Sequence, residues 1–112
     1  MILYHNTRCS TSRKTLQLLE EKNVNPEIVE YMKEPMTPGD LEEILDKLDI
    51  DAIDLVRKKE AIWKEEFADK ELTEDEVILA MIEYPQLMER PILVNGDKAR
   101  VGRPPEDVLE II

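Results

Sequence analysis

The stretch Ile2-Leu3-Tyr4-His5-Asn6-Thr7-Arg8-Cys9-Ser10-Thr11-Ser12-Arg13 passes directly from an apolar run, through a turn-prone polar string, into a helix. Ile2-Leu3-Tyr4 has the make-up of a short strand, and the string from His5 to Cys9 ends it. Ser10 to Asn23 then reads as a helix with Leu16 and Leu19 turned inward. A second short strand follows the Asn25-Pro26 turn, over Glu27 to Tyr31 with Ile28 and Val29 inside it. Two strands joined through a helix pair parallel, so the chain opens as a β-α-β unit.

Thr37-Pro38-Gly39-Asp40 supplies an N-cap with Pro at the first helical position. Leu41, Ile44, Leu45 and Leu48 follow at i, i+3, i+4 and i+7, which marks an amphipathic helix. Thr73 and Glu76 form a capping box before Val77, Ile78, Met81 and Ile82, so another helix runs to about Tyr84-Pro85. Asp51 to Lys70, between them, has helical composition and weak patterning. Pro91-Ile92-Leu93-Val94, then Asn95-Gly96, then Lys98-Ala99-Arg100-Val101 reads as a hairpin, with Asn-Gly expected to supply the two positive φ angles of a type I′ turn. Pro104 and Pro105 open a closing helix carrying Val108, Leu109 and Ile112. The order β-α-β, insert, β-β-α predicts an α/β, thioredoxin-like fold. Its sheet is mixed and four-stranded, and residues 1–112 form one domain with an enlarged helical insert at approximately residues 36–88.

The totals narrow the function. A chain of 112 residues that is 42% hydrophobic, with only 3 Gly and 7 Pro, is expected to pack a core and not to remain disordered. No signal-peptide pattern and no membrane-length apolar run is present, so the expected location is the cytoplasm. A single cysteine forms no internal disulfide. The net charge of -11 disfavours nucleic acid and anionic membrane as partners. Spread evenly, the 26 acidic residues would place about four in the first 19 positions, which hold none and carry Arg8, Arg13 and Lys14. Cys9 therefore faces a locally positive setting in an acidic protein.

Cys9 precedes a helix N-terminus, where unpaired N–H groups and the helix dipole favour a thiolate. Its neighbours Asn6, Thr7, Arg8 and Ser10 are polar, which sets it apart from a buried structural cysteine. Ser10, Thr11 and Ser12 are expected to cap the helix and, with the backbone N–H groups, to line a cradle for an oxyanion, with Arg13 adding charge. His5 lies four residues before the thiol, either as a thiolate partner or as a strand-end residue. No second His or Cys is available for a metal site.

The string Tyr4 to Arg13 closely resembles the active-site signature of the glutaredoxin-coupled arsenate reductases, whose pattern runs Tyr-His-Asn-Pro-x-Cys-Gly-Thr-Ser-Arg. Asp54-Leu55-Val56-Arg57-Lys58-Lys59, Glu89-Arg90-Pro91-Ile92-Leu93-Val94 and Gly102-Arg103-Pro104 resemble later segments of that family. The resemblance implies that Cys9 is the nucleophile, that His5 and Ser12 tune it, and that Arg57, Arg90 and Arg103 hold the oxyanion. It further implies a cis peptide at Arg90-Pro91 and the turning of arsenate into arsenite with glutathione as co-substrate and glutaredoxin as partner; no tightly bound cofactor and a monomeric chain are expected. Thr7 stands where the family has Pro, and Ser10 where it has Gly; Arg8 has no role in the pattern. Two alternatives carry the same fold: an Spx-type regulator that binds RNA polymerase, usually marked by Cys-x-x-Cys where this chain has Ser12, and a relative acting on another anion or on a glutathione-linked disulfide.

Overall fold

In the computed structural model, which describes residues 1–112, four strands join in one sheet. They are β1 (Ile2–His5), β2 (Glu27–Glu30), β3 (Ile92–Asn95) and β4 (Lys98–Val101), in the order β2-β1-β3-β4. The helix α1 (Ser10–Glu21) carries the chain from β1 to β2, which pair in parallel, while β1 with β3 and β3 with β4 are antiparallel. This is the mixed, thioredoxin-like sheet expected from the element order. Leu3 faces Leu93 across the central pair, and both are fully buried.

The chain divides into two compact units, residues 1–34 with 90–112, and residues 35–89. In the sheet unit, Leu3, Leu19, Leu93, Val108 and Ile111 form one cluster, with Leu16 and Val24 packed at its margin. Leu16 is thus only half inward; the buried face of α1 carries Ser12, Thr15 and Leu19. The helix also stops short of Asn23, which takes a left-handed conformation at φ 59° while Val24 N–H closes on the Leu19 carbonyl at 2.9 Å. β2 is an edge strand that ends at Glu30, one residue before the expected Tyr31, and Ile28 on it is exposed.

Two local expectations are corrected at the C-terminal end. Asn95 pairs with Lys98, so the central turn residues are Gly96 and Asp97, and of these only Gly96, at φ 63°, is left-handed. A positive φ at the first central residue alone is the type II′ pattern, not type I′. Asn95 instead donates its side-chain amide to the Ile111 carbonyl, tying the hairpin to the terminus. The closing element is a 3₁₀ helix, Pro105–Ile111, and its period of three buries Val108 and Ile111 while Ile112 is exposed.

The helical unit contains α2 (Pro38–Leu48), α3 (Ala52–Leu55), α4 (Ala61–Glu66) and α5 (Glu74–Glu83). Thr37 and Thr73 cap α2 and α5 through their side chains, each with a reciprocal carboxylate three residues on, from Asp40 and Glu76. The weakly patterned stretch resolves into the short α3 and α4, and the Glu74 carboxylate accepts the Ala52 N–H at 2.6 Å to fix the start of α3. Leu41, Ile44, Leu45, Leu55, Val77, Ile78 and Met81 are buried here, and none of the helices is long and apolar enough to cross a membrane.

Gly102 permits the close approach that brings Arg103 beside α1. Its N–H donates to the Pro91 carbonyl at 2.8 Å. A Cβ at this position would sit 2.8 Å from Thr15 Oγ1 and 3.0 Å from Pro91 Cγ. Gly102→Ala is therefore expected to lower stability by about 1–3 kcal/mol in chemical denaturation, and Thr15→Ala in the same chain to recover part of that loss.

Candidate active site

The loop from β1 to α1 is held by its own side chains. Asn6 Oδ1 accepts the Arg8 N–H at 3.0 Å, the Asn6 carbonyl accepts the Cys9 N–H at 3.0 Å, and the Arg13 guanidinium donates to the Thr7 carbonyl at 2.8 Å. These bonds turn the chain so that Cys9 occupies the N-cap of α1 in an extended conformation. The expected capping by Ser10, Thr11 or Ser12 does not occur. Ser10 is exposed, Thr11 is half-buried, and no side chain makes a capping hydrogen bond of normal geometry.

Ser12 turns into the protein instead. Its hydroxyl is fully buried, accepts the Asn6 N–H at 3.0 Å, and lies 2.7 Å from His5 Nδ1. With the ring proton on Nε2, the Ser12 hydroxyl donates to Nδ1 and all three groups are satisfied. Burial lowers the His5 pKa, opposed by Glu30 and assisted by Arg13, so the neutral ring is favoured. His5 thus reaches the site through Ser12, as a brace for the loop that presents the thiol.

Two arginines meet at the sulfur. Arg103 Nη2 lies 3.6 Å from Cys9 Sγ, and Arg103 Nε donates to the Arg90 carbonyl at 2.9 Å. Burial alone would raise the Cys9 pKa. The N–H of Ser12, the Arg90 guanidinium through hydrogen bonding and charge, and the N–H of Thr11 more than offset it, so the thiol stands below its ordinary value. The Arg90-Pro91 peptide is cis, as the resemblance implied, and so is Arg103-Pro104. Arg57 belongs to the helical unit; it is half-buried after α3, where its N–H donates to the Leu87 carbonyl.

Neither departure from the family pattern strains the loop. Thr7 and Ser10 are exposed, and neither takes the left-handed backbone that would call for glycine. Arg8, also exposed, lines a cavity of about 270 Å³ with Glu30, Met32 and Lys33 at the end of β2. No group of three His, Cys, Asp or Glu side chains is placed to hold a metal ion.

The chain as a whole is similar to known proteins. The model of the ArsC family matches residues 4–111. The chain belongs to the ArsC family. An arsenate reductase of Haemophilus influenzae is 44% identical over 114 aligned positions, covering 100% of this chain and 98% of that protein. An uncharacterized protein of Escherichia coli, YfgD, is 50% identical over 112 positions, covering 98% of this chain and 94% of its own. A solved structure described as arsenate reductase from Vibrio cholerae superposes with a TM-score of 0.95 at 40% identity, over 99% of this chain and 96% of that one.

Sequence reasoning missed two buried polar groups, one packed against Gly102 and one close to the sulfur. Thr15 is buried on α1, bonding back to the Thr11 carbonyl at 2.9 Å. Tyr31, read only as the end of a strand, is buried with its hydroxyl among the charged groups around Cys9. No motif spacing signals either position.

Two outcomes follow from the loop's bracing. Ser12→Ala strands the Asn6 N–H and His5 Nδ1, and is expected to cost about 1–3 kcal/mol in denaturant unfolding. The lowered His5 pKa means that the folded chain binds fewer protons than the unfolded one below the ordinary value of 6.5. Stability should therefore fall as pH drops through 6.5 toward the lowered folded value, and a His5→Gln chain, titrated in parallel, should lack that fall.

Proposed function

We propose that the protein reduces arsenate to arsenite through a covalent adduct on Cys9, with glutathione as co-substrate and glutaredoxin as partner. The observation that carries this reading is a solitary cysteine at a helix N-terminus with Arg90 and Arg103 at its sulfur. The match to curated arsenate reductases along nearly the full chain supports the choice of anion. The thiolate attacks arsenic and an arsenate oxygen, taking up protons, leaves as water. Arg90 and Arg103 hold the remaining oxygens and their charge, with the polar helix start at Ser10 and Thr11 and the Arg13 charge nearby, and the family resemblance assigns Arg57 to the same anion.

The adduct cannot be resolved internally, because no second cysteine exists. A glutathione thiol attacks it. The two electrons that take arsenic from the pentavalent to the trivalent state come from two thiols that end as a disulfide, and glutaredoxin with further glutathione restores the Cys9 thiol. Such a protein acts in the cytoplasm, where glutathione is kept reduced, and this chain would do so as a monomer.

In a coupled assay with glutathione, glutaredoxin and glutathione reductase, NADPH oxidation should require arsenate and every component. Cys9→Ser should abolish it while leaving the unfolding curve near wild type. Turnover by the Ser variant, or turnover without glutathione, would overturn the proposal.

A further inference from the structure

Buried polar groups are almost always hydrogen-bonded, so those that are not point to something the folded chain awaits. Two buried side-chain atoms of this chain lack a partner: the Tyr31 hydroxyl and Arg90 Nε. They belong to one neighbourhood. The hydroxyl lies within electrostatic reach of Arg90, Cys9 and Arg103, and Arg90 itself stands at the Cys9 sulfur.

Tyr31 is 2% exposed, so bulk water does not satisfy its hydroxyl. The Asn6 amide is close enough to act as a weak donor toward the phenol oxygen, but no hydrogen bond of normal geometry joins the two, and such a contact leaves the phenol proton free to donate elsewhere. Arg90 Nε–H can only donate, and the phenol can donate. Two stranded donors beside one nucleophile call for a ligand with several acceptor atoms, which a tetrahedral oxyanion supplies. A purely structural tyrosine would find a backbone or side-chain acceptor, or expose its hydroxyl at the surface.

We propose that the Tyr31 hydroxyl is a substrate-binding group, donating a hydrogen bond to an oxygen of the oxyanion held between Cys9 and Arg90. This rests on the anion-binding reading above and adds to it an uncharged donor from the end of β2. Burial, opposed by the neighbouring arginines and Asn6, raises the phenol pKa to about 12, so the proton to be donated is retained throughout the physiological range. The guanidiniums attract any anion, whereas a fixed neutral donor rewards an oxygen at one position. Tyr31 thereby favours a tetrahedral oxyanion over anions that lack an oxygen there.

The test is protection of Cys9 from iodoacetamide by arsenate and, separately, by phosphate, in wild type and Tyr31→Phe. Phe keeps the ring and removes only the hydroxyl. The alkylation rate without anion should be the same in both proteins, whereas the half-protecting concentration of each anion should rise about tenfold or more in Tyr31→Phe. Protection of wild type with an unchanged half-protecting concentration in the variant overturns the role of Tyr31 alone, as does a raised anion-free rate with unchanged protection, which assigns the hydroxyl to packing. No protection of wild type by either anion overturns the anion reading and this inference with it.

Discussion

The first turn of an α-helix presents N–H groups that the helix itself cannot pair, and in this chain they point at a sulfur. Most helices meet the demand with a hydroxyl or a carboxylate at the N-cap, as α2 and α5 do with Thr37 and Thr73. In α1 the N-cap is Cys9, and the Ser12 hydroxyl of the first turn is directed inward to His5 and Asn6. The helix start therefore stays available to a charged sulfur, and the loop from Asn6 to Cys9 is folded to hold the sulfur there. The thiol's activation and the loop's stability are two consequences of the same set of hydrogen bonds.

The second half of the site comes from the far end of the chain. Arg90 precedes β3, Arg103 follows β4, and the hairpin between them pairs with β1. Because β1 leads into the Cys9 loop, the sheet register that places Leu3 opposite Leu93 also sets both arginines at the sulfur. Gly102 lets the end of β4 lie against Thr15 of α1. Packing thus delivers positive charge and unpaired donors to a largely buried thiol, where they act with less screening than at the surface.

The order of elements and both threonine-capped helices were legible because each rests on local rules: strand and helix periodicity, capping boxes, and Pro or Gly at fixed positions. The Cys9 to Arg13 string disclosed a thiol at a helix start for the same reason. Local rules failed where a tertiary partner decided the outcome. Ser12 looked like a capping residue, but a buried imidazole needed its hydroxyl more than the exposed turn did. Asn95-Gly96 looked like the centre of a type I′ turn, but pairing of Asn95 with Lys98 shifted the turn by one residue. The C-terminal apolar residues fitted an α-helix, yet burying Val108 with Ile111 selected the tighter 3₁₀ period. Tyr31 has no local signature at all, since its significance comes from Arg90, which is remote in sequence and adjacent in space.

The central claim is that the helix start and Arg90 together favour the Cys9 thiolate, holding the thiol below its ordinary pKa despite its burial. Because Cys9 is the only cysteine, its ultraviolet thiolate absorbance can be titrated directly in wild type and Arg90→Gln. The account predicts a wild-type midpoint below the ordinary thiol value of 9.0, moving up toward it when Arg90 is replaced. A wild-type midpoint at or above 9.0 would mean that burial outweighs the donors, and would contradict the account.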